Sequence, residues 1–447
     1  MWLASALAAA AVGLVPFWFH WVFVPSSRDG IIAVFDEVGL YPADVCLALL
    51  ALMAIVHPVA LDSRRRWLAG GLTLLAAAAG LSILSARDAA LAAGVAGHVA
   101  LLTLAWLGLR SAGASRSAIV AVLVASAILQ SVLAVAQFAL QQPLVPHELQ
   151  LPWLPSDVSQ GGTPVILDAE GTRLLRGFGT FPHPNVLGGY LAVALVSLPL
   201  LAQRWPRWSA AWCLAGIVIG LGLVASFSRA AWLATLAGLA LLWWRTTAGQ
   251  PFRRRWLPPI VALLGVAGIM LSPVGALVAQ RVLVFSPDVN ALERGSVDNR
   301  LALDRDALDG IAAHMPSGVG AGNYGMAAVA EGYQEGWGEP VPNIALLITA
   351  ELGLAGVASL IVMAYGAIRQ LGFPRKPEYL LASAFVALMV LAMLDHYLWT
   401  MPLGRVIAWI PFALSAAPAP RTGRADRARD KRQSGLRTES LEWVGRE

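Results

Sequence analysis

Apolar runs of roughly 18–25 residues, each long enough to cross about 30 Å of hydrocarbon as a helix, recur along the whole of this chain. They fall near 3–24, 44–60, 67–86, 88–109, 117–140, 185–203, 209–225, 230–244, 256–279, 343–368, 378–395 and 402–415. Inside a bilayer each segment must satisfy its own backbone polar groups, so the runs read as helices. With 57% apolar and 13% charged residues, a soluble globular protein is excluded. We expect an all-α, polytopic membrane bundle of about a dozen helices. The first run lacks a basic start and ends in Phe17, Trp18, Trp21 and Phe23, so it reads as a retained span rather than a cleaved signal.

Lys and Arg orient the bundle. If the first helix starts in the cytoplasm, the inward turns carry Arg64-Arg65-Arg66, Arg110 with Arg116, Arg204 with Arg207, Arg245 with Arg253-Arg254-Arg255, and Arg369 with Arg375-Lys376. This assigns about 22 of 32 basic residues to the inside and about 20 of 27 acidic ones to the outside. The net charge of +5 therefore belongs to an inner face and a tail, and no nucleic-acid partner is expected. We divide the chain into a membrane-embedded domain, 1–420, and a polar cytoplasmic tail, 421–447, that is expected to be disordered and either touches anionic lipid or is merely solvated. Cys46 and Cys213 fall in spans and do not point to disulfides or a metal site.

Two outer loops, 141–183 and 280–342, are longer than turns. The second holds an amphipathic stretch with Leu301, Leu308, Ile311 and Met315 on one helical face. Arg300/Asp304 and Arg305/Asp309 are spaced as i,i+4 pairs. Such a helix either lies on the membrane as a lid or packs on the bundle.

The loop ends carry chemistry-bearing strings. Arg176-Gly177-Phe178-Gly179-Thr180-Phe181-Pro182-His183-Pro184-Asn185 leads into the sixth span, and Ser228-Arg229 with Trp232 follows the seventh. Gly318, Gly320, Gly322, Asn323 and Tyr324 close the amphipathic stretch, and Val341-Pro342-Asn343 precedes a helix bearing Glu351-Leu352-Gly353. In this order the strings resemble those of the O-antigen ligase and polymerase superfamily, over a motif core of roughly 170–360. The resemblance implies a GT-C-like membrane glycosyltransferase in the bacterial cytoplasmic membrane, with its active site outside. It would move a glycan from undecaprenyl pyrophosphate to an acceptor hydroxyl, with inversion, and the acceptor is a glycolipid, a second glycan or a protein. Ligase and polymerase are not separated by the strings.

The departing pyrophosphate needs fixed cations, and guanidinium pairs with phosphate oxygens through two parallel hydrogen bonds. The resemblance assigns that task to Arg176, Arg229 and Arg300. Arg229 also stands where a snorkelling anchor would, and Arg300 where it pairs with Asp304. Attack by a hydroxyl needs a base. Here the chain departs from the family pattern, because Pro342 stands where the family carries His. His396, beside Asp395, and His183 are the candidates to replace it, against the plainer readings of an interfacial polar cluster and a helix cap. Asn185, Asn343 and Glu351 are supporting candidates, Glu351 because an ionisable group inside a span is costly. Asp304 and Asp306 diverge on a helix and would not share an ion. No cofactor or metal is expected. The glycines around Asn323 form either an anion-cradling nest or a flexible turn. Trp153 and Trp337 are candidates to stack on sugar, although most Trp residues sit at span ends, as an interfacial belt does. Two rivals are a transporter of lipid-linked oligosaccharide and a catalytically silent glycolipid-binding relative.

Overall fold

A computed structural model describes residues 2–24, 27–28, 31–32, 37–57, 65–112, 114–145, 164–168, 171–247, 268, 271–272, 274–282, 291–334, 338–371 and 378–416. The tail, Trp153, Trp337, most of the 141–183 loop and most of the 256–279 run lie outside them. The helices are α1 Trp2–Leu14, α2 Pro42–Val56, α3 Arg65–Leu81, α4 Ala89–Ala112, α5 Arg116–Leu140, α6 Pro184–Arg204, α7 Ser209–Ala225 and α8 Arg229–Thr247. After these come α9 Gly275–Val282, α10 Ala291–His314, α11 Tyr324–Ala330, α12 Ile344–Gln370, α13 Tyr379–Leu394, α14 Tyr397–Thr400 and α15 Pro402–Ala416. Among the described residues six stretches, in α3 to α7 and α12, are long and apolar enough to cross a membrane, and α1, α2, α13 and α15 are shorter apolar helices. The fold is an all-α membrane bundle.

The expected first span is not one helix. It stops at Leu14, and Trp21–Val24 pairs antiparallel with Val38–Leu40. Pro16 lacks a backbone donor, and the aromatic and β-branched residues after it favour extended chain. The expected 256–279 run also does not continue as one helix, because a turn at 271–272 precedes the separate α9.

Helix α6 is the hub, packing on α5, α7, α8 and α13. Its apolar stretch is 78% buried, against 28% for the stretch containing α7, which faces outward. Gly189 lets α6 approach the Tyr397 hydroxyl, where a Cβ would collide.

Helix α12 is broken in the middle. Gly353 adopts φ 59°, ψ −143°, a backbone conformation open to glycine. The break frees carbonyls, and the 316–323 loop docks on them. Val319 N donates to Ala350 O (3.0 Å), Gly320 N to Glu351 O (2.9 Å), and Leu354 N returns a bond to Pro316 O (3.0 Å). Non-helical backbone is thus satisfied by protein.

The amphipathic stretch is helix α10, and it packs on α12. Its buried residues are Leu303, Ala307 and Gly310, whereas Leu301 (50%), Leu308 (54%) and Met315 (40%) are exposed. Ile311, the fourth residue of that apolar face, is partly buried against the core, and the small residues at 307 and 310 allow the close approach to the bundle.

Candidate functional site

The loop before α6 is held by α5. Gln137, fully buried, accepts through Oε1 from Phe178 N (3.0 Å) and Gly179 N (2.8 Å) and donates through Nε2 to Gly179 O (2.8 Å). Gln130 Oε1 accepts from Thr180 N (2.9 Å). Sequence reasoning passed over both glutamines. Their signal was two amides seven residues apart on one face of an apolar helix, where polar groups are costly without partners.

Within that loop Arg176 is buried. Its Nε donates to Ser226 O (2.9 Å) and a terminal nitrogen donates to Asn185 Oδ1 (2.7 Å). Asn185 Nδ2 in turn donates to Asp395 Oδ2 (2.8 Å). Arg300 lies 3.7 Å from the same carboxylate oxygen and donates to Leu394 O. Arg176, Asn185, Asp395 and Arg300, drawn from positions more than 200 residues apart, therefore form one chain of contacts.

A cavity of about 280 Å³ opens beside this chain. Its walls include His183, Asn185, Ser296, Arg300, Glu339, Pro342, Asp395, His396 and Tyr397. Of the three expected phosphate-binding arginines, Arg300 lines the cavity directly. Arg176 stands behind Asn185, and Arg229 donates to Ser296 Oγ (3.3 Å), a wall residue. The helix-dipole end of α6 adds partial positive charge to the same wall. Ser296, Asn299 and Glu339 were not singled out by sequence; Asn299 Nδ2 donates to Glu339 Oε2 (2.8 Å).

The two histidines differ in which nitrogen carries the proton. His183 caps α6, its Nδ1 accepting from Asn185 N (3.1 Å), so its proton sits on Nε2 and no lone pair remains for substrate. Burial, with the Arg176 charge beside it, pushes its pKa down to about 3. The cap reading of His183 is the one the geometry supports. At His396 the expected Asp395 partnership is replaced. Helix α13 ends at Leu394, Asp395 is extended, and its carboxylate turns to Asn185 and Arg300. His396 Nδ1 instead meets Thr400 Oγ1 (2.9 Å), and that hydroxyl points its own hydrogen at His396 O (3.4 Å). Nδ1 is then the donor, and in the neutral ring Nε2 is the unprotonated nitrogen. Burial lowers the His396 pKa against the pull of Asp395, so the ring is neutral at pH 7.

The remaining candidates lie apart. Asn343 caps α12 through Oδ1 to Ala345 N (3.0 Å) and Leu346 N (3.3 Å). Glu351 Oε2 accepts from Gly322 N (2.8 Å) and Trp399 Nε1 (2.7 Å). The amides of the glycine loop thus point at a carboxylate and carbonyls of the chain itself, which replaces the anion-nest expectation.

Residues 214–361 match the family model of the O-antigen ligase. This supports the O-antigen ligase and polymerase superfamily for the chain, and with it a multi-pass bacterial membrane protein of glycosyl-handling type. No curated protein matches the chain. The matched O-antigen ligase segment contains Arg229, Arg300, Pro342, Asn343 and Glu351. His183, Asn185, Asp395 and His396 lie outside it and meet it at the cavity, with Arg176, also outside it, behind Asn185.

Proposed function

We propose that this O-antigen ligase-type protein transfers a glycan from undecaprenyl pyrophosphate to an acceptor hydroxyl at the outer face of the cytoplasmic membrane. The acceptor O–H gives its proton to His396 Nε2. The oxygen forms a bond to the anomeric carbon as the bond from that carbon to pyrophosphate breaks. The electron pair leaves with the diphosphate, which Arg300 meets, aided by Arg229 and the N-terminus of α6. Arg176 orients Asn185 and Asp395. The observation that carries this reading is that Pro342, at the family's histidine position, lines the same cavity as His396. The base has moved to another element without leaving the site.

The test is purified protein given labelled lipid-linked glycan and a hydroxyl acceptor. Wild type transfers label, and His396→Ala lowers the rate by about 10²–10⁴, the usual worth of general base catalysis. Arg300→Ala and Arg229→Ala weaken donor turnover. No transfer by wild type, or rates unchanged in all three variants, overturns the reading. A glycan product longer than one repeat, made without added acceptor, replaces the ligase with a polymerase.

A further inference from the structure

Against the Asp395–Met401 segment lies a set of buried polar and charged groups that the reaction above does not use. Trp399 is its centre. Its Nε1 donates to Glu351 Oε2 (2.7 Å), and its backbone oxygen accepts from a terminal nitrogen of Arg405 (2.8 Å). Arg405 Nε donates to His98 Nδ1 (2.9 Å), so the proton of that ring sits on Nε2, 3.0 Å from Asp44 Oδ1. The other Asp44 oxygen accepts from Tyr41 N (3.0 Å). Glu351, Arg405 and Asp44 are all at most 6% exposed, and they come from α12, α15 and α2. Helices α12 and α15 are thereby fastened to the two polar groups of one tryptophan, and α4, α2 and the glycine loop are joined to it through His98, Asp44 and Glu351.

That tryptophan belongs to the turn that orients the proposed base. Trp399 N donates to His396 O (2.9 Å), and its neighbour Thr400 supplies the hydroxyl that fixes His396 Nδ1. We infer that Glu351 and Arg405 are positioning residues for His396, acting through Trp399 and Thr400 and not on substrate. This rests on the reading of His396 as the base. Packing alone does not ask for charge here. Apolar residues of the same volume fill a membrane interior without the cost of burying ions, whereas one hydrogen bond from the indole and one to the backbone oxygen of the same residue fix its position and direction. A displacement of about 1 Å at a catalytic group costs on the order of 10² in rate.

The experiment uses Trp399→Phe, which keeps the ring and deletes one hydrogen bond, with Glu351→Gln and Glu351→Ala. Glutamine retains an oxygen that accepts from Trp399 and Gly322. Trp399→Phe is expected to lower kcat about tenfold with KM for the lipid-linked donor unchanged. In a His396→Ala background the same change is expected to cost nothing further, because interacting residues are non-additive. Glu351→Gln is expected to recover most of the rate lost in Glu351→Ala. Equal losses in both backgrounds, or a rise in KM instead of a fall in kcat, overturn the inference. If wild type transfers no glycan, the functional reading fails, and amide hydrogen exchange decides the positioning separately. Peptides spanning 395–401 exchange faster in Trp399→Phe at unchanged Tm if the clamp holds this segment. Unchanged exchange overturns it.

Discussion

At the scale of single residues, the site turns on which nitrogen of each histidine carries the proton. His396 has its ordinary value of 6.5 lowered by burial, so its lone pair survives throughout the neutral range. We expect kcat to be flat across neutral pH and to fall only as pH drops below 6.5, an acid limb that His396→Ala removes. His183 makes a different prediction. Its folded pKa is about 3 against 6.5 when free, so between those values the unfolded chain binds a proton that the folded chain refuses. Stability therefore falls as pH falls through that window. His183→Asn keeps a good helix cap and cannot titrate, so its Tm is expected to drop less than that of wild type on acidification. Parallel slopes of Tm against pH would show that this ring is not the source. The motif around His183 and the Asp395-His396 pair were both legible in the sequence. The partner of Asp395 was not, since Asn185 stands 210 positions away and adjacent side chains in a chain need not face each other.

At the scale of elements, two strings that look independent in sequence turn out to be one device. The glycine loop 316–323 exists in this shape because α12 breaks at Gly353, and the break persists because the loop takes its freed carbonyls. An alanine at 353 meets two penalties. Its φ of 59° costs a side chain about 1–2 kcal/mol, and its Cβ collides with Pro316 O. Gly353→Ala is expected to lower Tm in detergent and to loosen the loop, read as faster amide exchange at 316–323. A variant with wild-type Tm and exchange would mean that the break does not depend on glycine. The sequence carried both strings but not their meeting, because a hydrogen bond between backbones thirty residues apart leaves no mark on side-chain pattern. The inward face of α10 escaped for a related reason. Apolar periodicity marks Leu301, Leu308, Ile311 and Met315, of which Ile311 packs on the core, but Ala307 and Gly310 are what let the helix sit close.

At the scale of the whole molecule, side assignment ties the pieces together. Charge alone put the turns before α5 and α13 on the same inner face, and Arg116 pairs with Glu378 across them (3.1 Å). Arg245, at the end of α8, lies over Tyr379 at the start of α13 (5.1 Å), again joining ends assigned inside. The cavity walls at 183, 296–300, 339–342 and 395–401 all come from connections assigned outside. Reading runs of apolar residues predicts this alternation, since a helix must enter one side and leave by the other. It failed for the run at 3–24, where length cannot distinguish a helix from a helix followed by apolar strand; 13 residues of α1 rise only about 20 Å. The orientation makes a sharp prediction. With Cys46 and Cys213 replaced by serine, a single cysteine at Ser296 is expected to react with a membrane-impermeant maleimide in spheroplasts. One at Arg207, exposed in the turn between α6 and α7, is expected to react only after permeabilisation. The opposite pattern would put the cavity in the cytosol and leave the positive-inside bias reversed, a combination that neither membrane insertion nor an outward-presented donor tolerates.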